Sequence, residues 1–134
     1  MLLDTSGLLR YQFVQEVGHE EARRVFESSR RKITHNYVLA EVVALANTRN
    51  LPRFHVLGLL SDLGRHPSVE IIWVTQTLHE EAVALLEKRL DKTYSLCDAV
   101  SFVLMRQFEI RDAFSTDRHF VQEGFVRVLK ERVK

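Results

Sequence analysis

One cysteine leaves nothing to bridge: Cys97 alone excludes an internal disulfide framework and fits a reducing, cytoplasmic setting. With no second thiol near it in sequence, Cys97 reads as a small buried residue rather than a zinc ligand. No apolar run approaches the roughly 20 residues of a membrane span, so no transmembrane segment is expected. Met1-Leu2-Leu3-Asp4 lacks a basic stretch leading into an apolar core, so no secretory leader is expected either. Glycine (5) and proline (2) are too scarce for a linker, and no repeat or low-complexity tract is present. An excess of one charge is also missing. The 19 basic and 18 acidic residues leave +1, which neither announces nor excludes a nucleic-acid partner. What is there is 46% hydrophobic and 28% charged, ordinary for a globular chain, and 134 residues fit a single domain over 1–134.

The hydrophobic period alternates between strand and helix along the chain. Strands are expected at 1–3, 32–35, 69–74, 112–115 and 125–129. Helices are expected at 7–15, 20–31, 37–48, 52–66 and 77–90, then across the stretch beginning at Ser95, with a helical turn at 117–121. Glu20–Arg24 and Glu27–Arg31 have the i,i+4 spacing of helical ion pairs, and Thr77 with Glu80 forms a capping pair. The stripe Phe54, Leu57, Leu60 and Leu63 reads as core. Strands alternating with helices imply a three-layer α/β/α domain with a central parallel sheet of about five strands. Sites in such sheets form beyond the carboxyl ends of the strands, where strand order reverses.

The chain is organised around Ser95-Leu96-Cys97-Asp98-Ala99-Val100-Ser101-Phe102-Val103-Leu104-Met105. Leu96, Val100, Val103 and Leu104 recur at helical spacing, yet Ser101, Phe102 and Met105 make the opposite stripe apolar too. Such a helix is buried. Asp98 sits in its first turn with Tyr94, Ser95, Ser101 and Phe102 as helical neighbours, none of them a cation. A carboxylate without water or a partner costs several kcal/mol, so something compensates it. One candidate is a capping box with Ser95. The other is a metal ion, which requires further acids to converge.

Three others qualify. Asp4 follows the first strand and Asp117 follows the strand ending near Ser115, and a helix N-cap would account for either. Glu41 lies in the apolar helix 37–48 among Tyr37, Val38, Ala44 and Leu45, where no cap explains it and no cation stands at helical spacing. Only a long-range salt bridge competes with a site role. Four carboxylates packed together repel unless cations neutralise them, which hard, oxygen-seeking Mg²⁺ or Mn²⁺ do. Such an ion, keeping several waters, suits phosphodiester hydrolysis.

These motifs have a family likeness. Leu3-Asp4-Thr5-Ser6-Gly7-Leu8-Leu9, Asn36-Tyr37-Val38-Leu39-Ala40-Glu41-Val42, Ser95-Leu96-Cys97-Asp98-Ala99-Val100-Ser101-Phe102 and Ser115-Thr116-Asp117-Arg118-His119-Phe120 resemble, in order, the PIN-domain ribonucleases. The likeness is to the compact VapC-type toxins of toxin–antitoxin modules. It implies a five-stranded parallel sheet, a Mg²⁺ or Mn²⁺ pocket and endonucleolytic RNA cleavage. It casts Asp4, Glu41, Asp98 and Asp117 as catalytic, metal-holding acids, with Ser6 and Thr116 supporting them. A cognate antitoxin and a homodimer are the implied partners, either of them through the helix holding Gly58. Some relatives carry another acid just after the position of Asp117, where this chain has Arg118 and His119.

Arg118 is a candidate RNA contact, against the alternative of a solvated arginine. His119 and Phe120 are expected to pack the short helix onto the sheet, and His35 and His55 to be surface or partly buried. Arg30-Arg31-Lys32 reads as an exposed helix end. Two further function classes compete. One is a catalytically inactive PIN-like module that binds RNA or protein. The other is a haloacid-dehalogenase-type phosphatase, disfavoured because Ser6 stands where its second aspartate belongs. A receiver domain lacks its paired acids and late lysine.

Overall fold

Leu2 and Leu3 are both wholly buried, and adjacent strand residues point to opposite faces, so two residues suffice to anchor the middle of a covered sheet. The computed structural model of the chain describes residues 1–130. The single-domain expectation extends to Lys134 and so runs past the described residues. In chain order the elements are β1 (Leu2–Leu3), α1 (Thr5–Gln12), α2 (His19–Ser28), β2 (Lys32–His35), α3 (Asn36–Thr48), α4 (Arg53–Arg65) and β3 (Val69–Ile72). Then come α5 (Gln76–Glu87), α6 (Leu96–Gln107), β4 (Asp112–Phe114), α7 (Arg118–Gln122) and β5 (Val126–Arg127).

All four strand pairings are parallel, in the order β3-β2-β1-β4-β5. The chain first builds outward from β1 to β3, then returns past β1 to add β4 and β5. Strand order therefore reverses between β1 and β4, and a crevice opens beyond their carboxyl ends. Leu2, Ile33 and Ala113 face one helical layer with Leu78, Val100 and Phe102, while Leu3 and Phe114 face the other with Leu8, Val42 and Leu59. The expected three-layer α/β/α arrangement with five parallel strands is what forms. Among the described residues no helix is long and apolar enough to cross a membrane.

Several local expectations differ from the structure for identifiable reasons. Residues spaced by three drift about 60° per step around a helix, so Phe54 and Leu63 end up on opposite sides. Leu63 is buried with Val56 and Leu59, while Phe54 (84% exposed) and Leu57 face solvent. The stripe is not core. Helix α2 ends at Ser28, so Arg31 lies beyond it and approaches Glu70 of β3, while Glu27 pairs with Arg23 at 3.1 Å. Helix α5 starts earlier than expected because Thr75 Oγ1 accepts from Leu78 N (3.1 Å), displacing Thr77 as the cap. Lys32 is buried, not part of an exposed basic end; its ammonium donates to Ser29 O and Ser68 Oγ over the Phe26 ring.

Candidate active site

Each acid at the crevice is placed by an ordinary local rule. Asp4 directly follows β1 and occupies the N-cap position of α1, but its side chain makes no cap hydrogen bond. Its Oδ2 instead accepts from Ser115 Oγ at 2.7 Å. The approach of α1 to β4 depends on Gly7, where a Cβ would come within 2.2 Å of Phe114 O. Asp98 does form the capping box: Oδ2 accepts from Ser95 N, and Ser95 Oγ accepts from Asp98 N, both at 3.0 Å. Asp117 caps α7, with Oδ1 accepting from His119 N at 2.9 Å.

Capping and ligation turn out to be compatible, because a carboxylate has two oxygens. Among the described residues no hydrogen bond falls on Asp98 Oδ1 or Asp117 Oδ2. The partner that Asp98 lacks along its own helix arrives from α7. His119 Nδ1 donates to Asp98 Oδ2 at 2.9 Å and lies 3.4 Å from Asp117 Oδ1, while Nε2 meets Thr93 Oγ1 at 3.2 Å. A carboxylate oxygen only accepts, so the proton in that contact is on Nδ1. Tyr94 stands against the imidazole with ring centroids 5.2 Å apart. His119 is thus a polar member of the crevice rather than a packing residue. Phe120 does pack, edge-on to Phe102 at 5.1 Å. His35 is also not a surface residue; it is fully buried, with Nε2 2.8 Å from Ser101 Oγ.

Asp98, Asp117 and His119 offer ligand atoms that all lie within 4.8 Å of one another. Asp4 and Glu41 are outside that tight trio but inside its field. Burial, chiefly, pushes the Asp4 carboxyl up to about 7; Ser115 pulls it down, and the charges of Asp98 and Glu41 push it up again. Burial also raises the Cys97 thiol, with Glu41, Asp4 and Asp98 adding to the effect. Among the described residues Glu41, half-buried in α3, has no ion-pair partner. A centre so crowded with negative charge fits a divalent cation, with carboxylate oxygens of Asp98 and Asp117 within reach.

The hydroxyl that supports the acids is Ser115, not Thr116. Ser115 Oγ donates to Asp4, accepts from Asp117 N (2.9 Å) and touches Ser6 Oγ (3.2 Å). Thr116 contributes backbone: its N–H donates to Ser6 Oγ at 3.1 Å and its carbonyl accepts from Arg127 at 2.7 Å. Ser115 directly follows β4 and precedes Thr116 and Asp117 in sequence, and that place at the strand end is the signal for it. For His119 the signal was its spacing two residues after Asp117. Arg118 is exposed on the first turn of α7.

The five-stranded parallel sheet and the acid-lined crevice at its reversal define a three-layer α/β/α domain with an acidic group that could bind a metal. The family model of the PIN domain matches residues 1–125, and the chain belongs to that family. Two curated relatives, both described as the 23S rRNA-specific endonuclease VapC20, come from Mycobacterium tuberculosis strains CDC 1551 / Oshkosh and ATCC 25618 / H37Rv. Each is 33% identical over 132 residues, covering 98% of this chain and 99% of the relative. The crystal structure of Mycobacterium tuberculosis VapC20, titled a sarcin-ricin loop cleaving toxin, superposes with a TM-score of 0.86 at 29% identity. That match covers 96% of this chain and 98% of the other.

Proposed function

We propose that this chain, as one domain over residues 1–134, is a cytoplasmic Mg²⁺- or Mn²⁺-dependent endoribonuclease and the toxin of a toxin–antitoxin pair. The observation that carries the reading is the convergence of Asp98, Asp117 and His119 within 4.8 Å, next to an Asp4 whose carboxyl is pushed up to about 7. The full-length likeness to an rRNA-specific endonuclease supports the same reaction here and makes 23S rRNA the first substrate to test.

Asp98 and Asp117 hold the ion, and Asp4 and Glu41 add charge from beyond the trio. Ser115 Oγ and His119 Nδ1 each fix one oxygen, of Asp4 and Asp98 respectively, so both carboxylates are oriented before anything binds. A divalent ion, when bound, supplies charge neutralisation and a more acidic water for attack on phosphorus. The products are a 5′ phosphate and a 3′ hydroxyl. Arg118, one residue from Asp117, is the proposed contact to a substrate phosphate. The exposed Phe54 and Leu57 on α4, beside Gly58 with open space above it, are the surface proposed for homodimer or antitoxin contact.

Asp98→Asn and Asp117→Asn should each lower Mn²⁺-dependent RNA cleavage by about 10³-fold or more while keeping a folded domain. Cleavage by both at the wild-type rate would remove the proposal. Metal-independent RNA binding without any cleavage by the wild type would instead identify an inactive RNA-binding module.

A further inference from the structure

At the opposite end of the sheet from the acids, β2 opens with a buried cation. Lys32 is 2% exposed. Its ammonium donates to Ser29 O, just past α2, at 2.6 Å and to Ser68 Oγ, just before β3, at 2.8 Å. The Phe26 ring faces the charge at 4.7 Å. An ammonium has three N–H groups, and among the described residues no carboxylate pairs with this one. Burial lowers its pKa, with no acid pulling it back up. A buried charge without a counter-ion is costly, and an apolar side chain of the same length would avoid that cost.

Beside Lys32 lies a cavity of about 540 Å³, inside the usual range of ligand pockets. Its polar lining is rich in donors. The backbone N–H of Ser68 donates to His66 Nδ1 at 3.1 Å, which fixes that nitrogen as an acceptor. The Ser68 hydroxyl, 3.0 Å from the same nitrogen, therefore donates to it while accepting from Lys32, and the ring proton of neutral His66 is on Nε2. Arg30 also lines the cavity, exposed and without an ion pair among the described residues. Tyr11, stacked on Phe26 at 4.1 Å, supplies an aromatic wall. Glu27 is the one carboxylate in the lining, and Arg23 holds it at 3.1 Å.

We propose that this cavity binds a phosphate monoester, its phosphate on Lys32, His66 Nε2–H and Arg30 and its organic part against Tyr11. Donors from three separate segments suit the three oxygens of a monoester better than the two of a carboxylate. The anion supplies the counter-charge that Lys32 lacks. Glu27 opposes it from the lining, so removing Arg30 and removing the charge of Glu27 have opposite effects. The site is distinct from the acidic centre and does not depend on the endoribonuclease reading.

The test is calorimetric titration of the full chain, in EDTA, with inorganic phosphate and with phenyl phosphate. Inorganic phosphate should bind with a Kd of about 1 mM and phenyl phosphate about 10-fold tighter. Lys32→Met keeps the length of the side chain without its charge; it should stay folded and weaken both probes at least about 10-fold. Arg30→Ala should weaken them about 3-fold and Glu27→Gln should tighten them about 2-fold, which decides the matter should Lys32→Met not fold. No binding of either probe at about 20 mM, or equal binding by wild type, Arg30→Ala and Glu27→Gln, would overturn the proposal. Benzoate bound as tightly as phenyl phosphate would also overturn it, assigning the cavity to a carboxylate. RNA cleavage should be unchanged in Arg30→Ala and Glu27→Gln; its loss in step with phosphate binding would overturn the proposal by placing the cavity on the path of the RNA.

Discussion

Asp4 should make the metal-free protein less stable as it ionises. Its carboxyl is raised from 3.8 to about 7, first by burial and then by Asp98 and Glu41, against the pull of Ser115. The folded state therefore holds a proton that the unfolded chain has released between about pH 4 and 7, and stability falls as pH rises through that window. At about 1.4 kcal/mol per pH unit, keeping Asp4 ionised above pH 7 costs on the order of 4 kcal/mol. Asp4→Asn removes the charge and keeps a buried neutral polar group much like the protonated carboxyl. The variant in EDTA should then melt about 10–15 °C higher than wild type at pH 8 and within about 2 °C of it at pH 4. It should at the same time lose RNA cleavage. A pH-independent difference, or a less stable variant at pH 8, would refute the reasoning, because either means that Asp4 is not held under charge stress.

His35 acts in the opposite direction. Burial lowers its pKa from 6.5 to about 3, so the unfolded chain takes up a proton first and stability falls as pH drops below 6.5. Denaturant titrations should show a loss of about 2 kcal/mol by pH 5 that His35→Gln abolishes. Gly7→Ala forces a Cβ against Phe114 O and should cost several kcal/mol of stability and most of the activity, measured by urea unfolding and cleavage together. Glu123 is buried between Arg89, Arg106 and the Tyr94 hydroxyl, contacts that together overcome burial and hold its carboxyl below the usual range. Because both arginines are partly solvated, Glu123→Gln should cost about 2–3 kcal/mol at pH 7, with the difference shrinking in acid as the wild-type carboxyl protonates.

The layers and the parallel sheet were legible because residues such as Ile33, Val42 and Val100 repeat with the period of their own element. Asp4 and Asp117 were legible as site candidates because acids just past a strand mark the carboxyl edge, and Asp98 because a buried helix offered it no cation. What remained hidden was long-range geometry. Nothing in local spacing reports that His119 turns toward Asp98 across 21 positions, or that Ser115 rather than Thr116 faces Asp4 across 111. The phase of α4 is hidden for another reason: four residues spaced by three look like a stripe over two turns but rotate through half the helix by the fourth. Glu41 illustrates the converse, since its half-buried place near the other acids followed from the absence of a local partner.

Titration of the metal-free protein with Mn²⁺ in a calorimeter, wild type beside Asp98→Asn and Asp117→Asn, addresses the central claim most directly. Binding by the wild type that either substitution weakens at least about 10-fold is the predicted result. Equal Mn²⁺ binding by all three proteins, or none by the wild type, would contradict it.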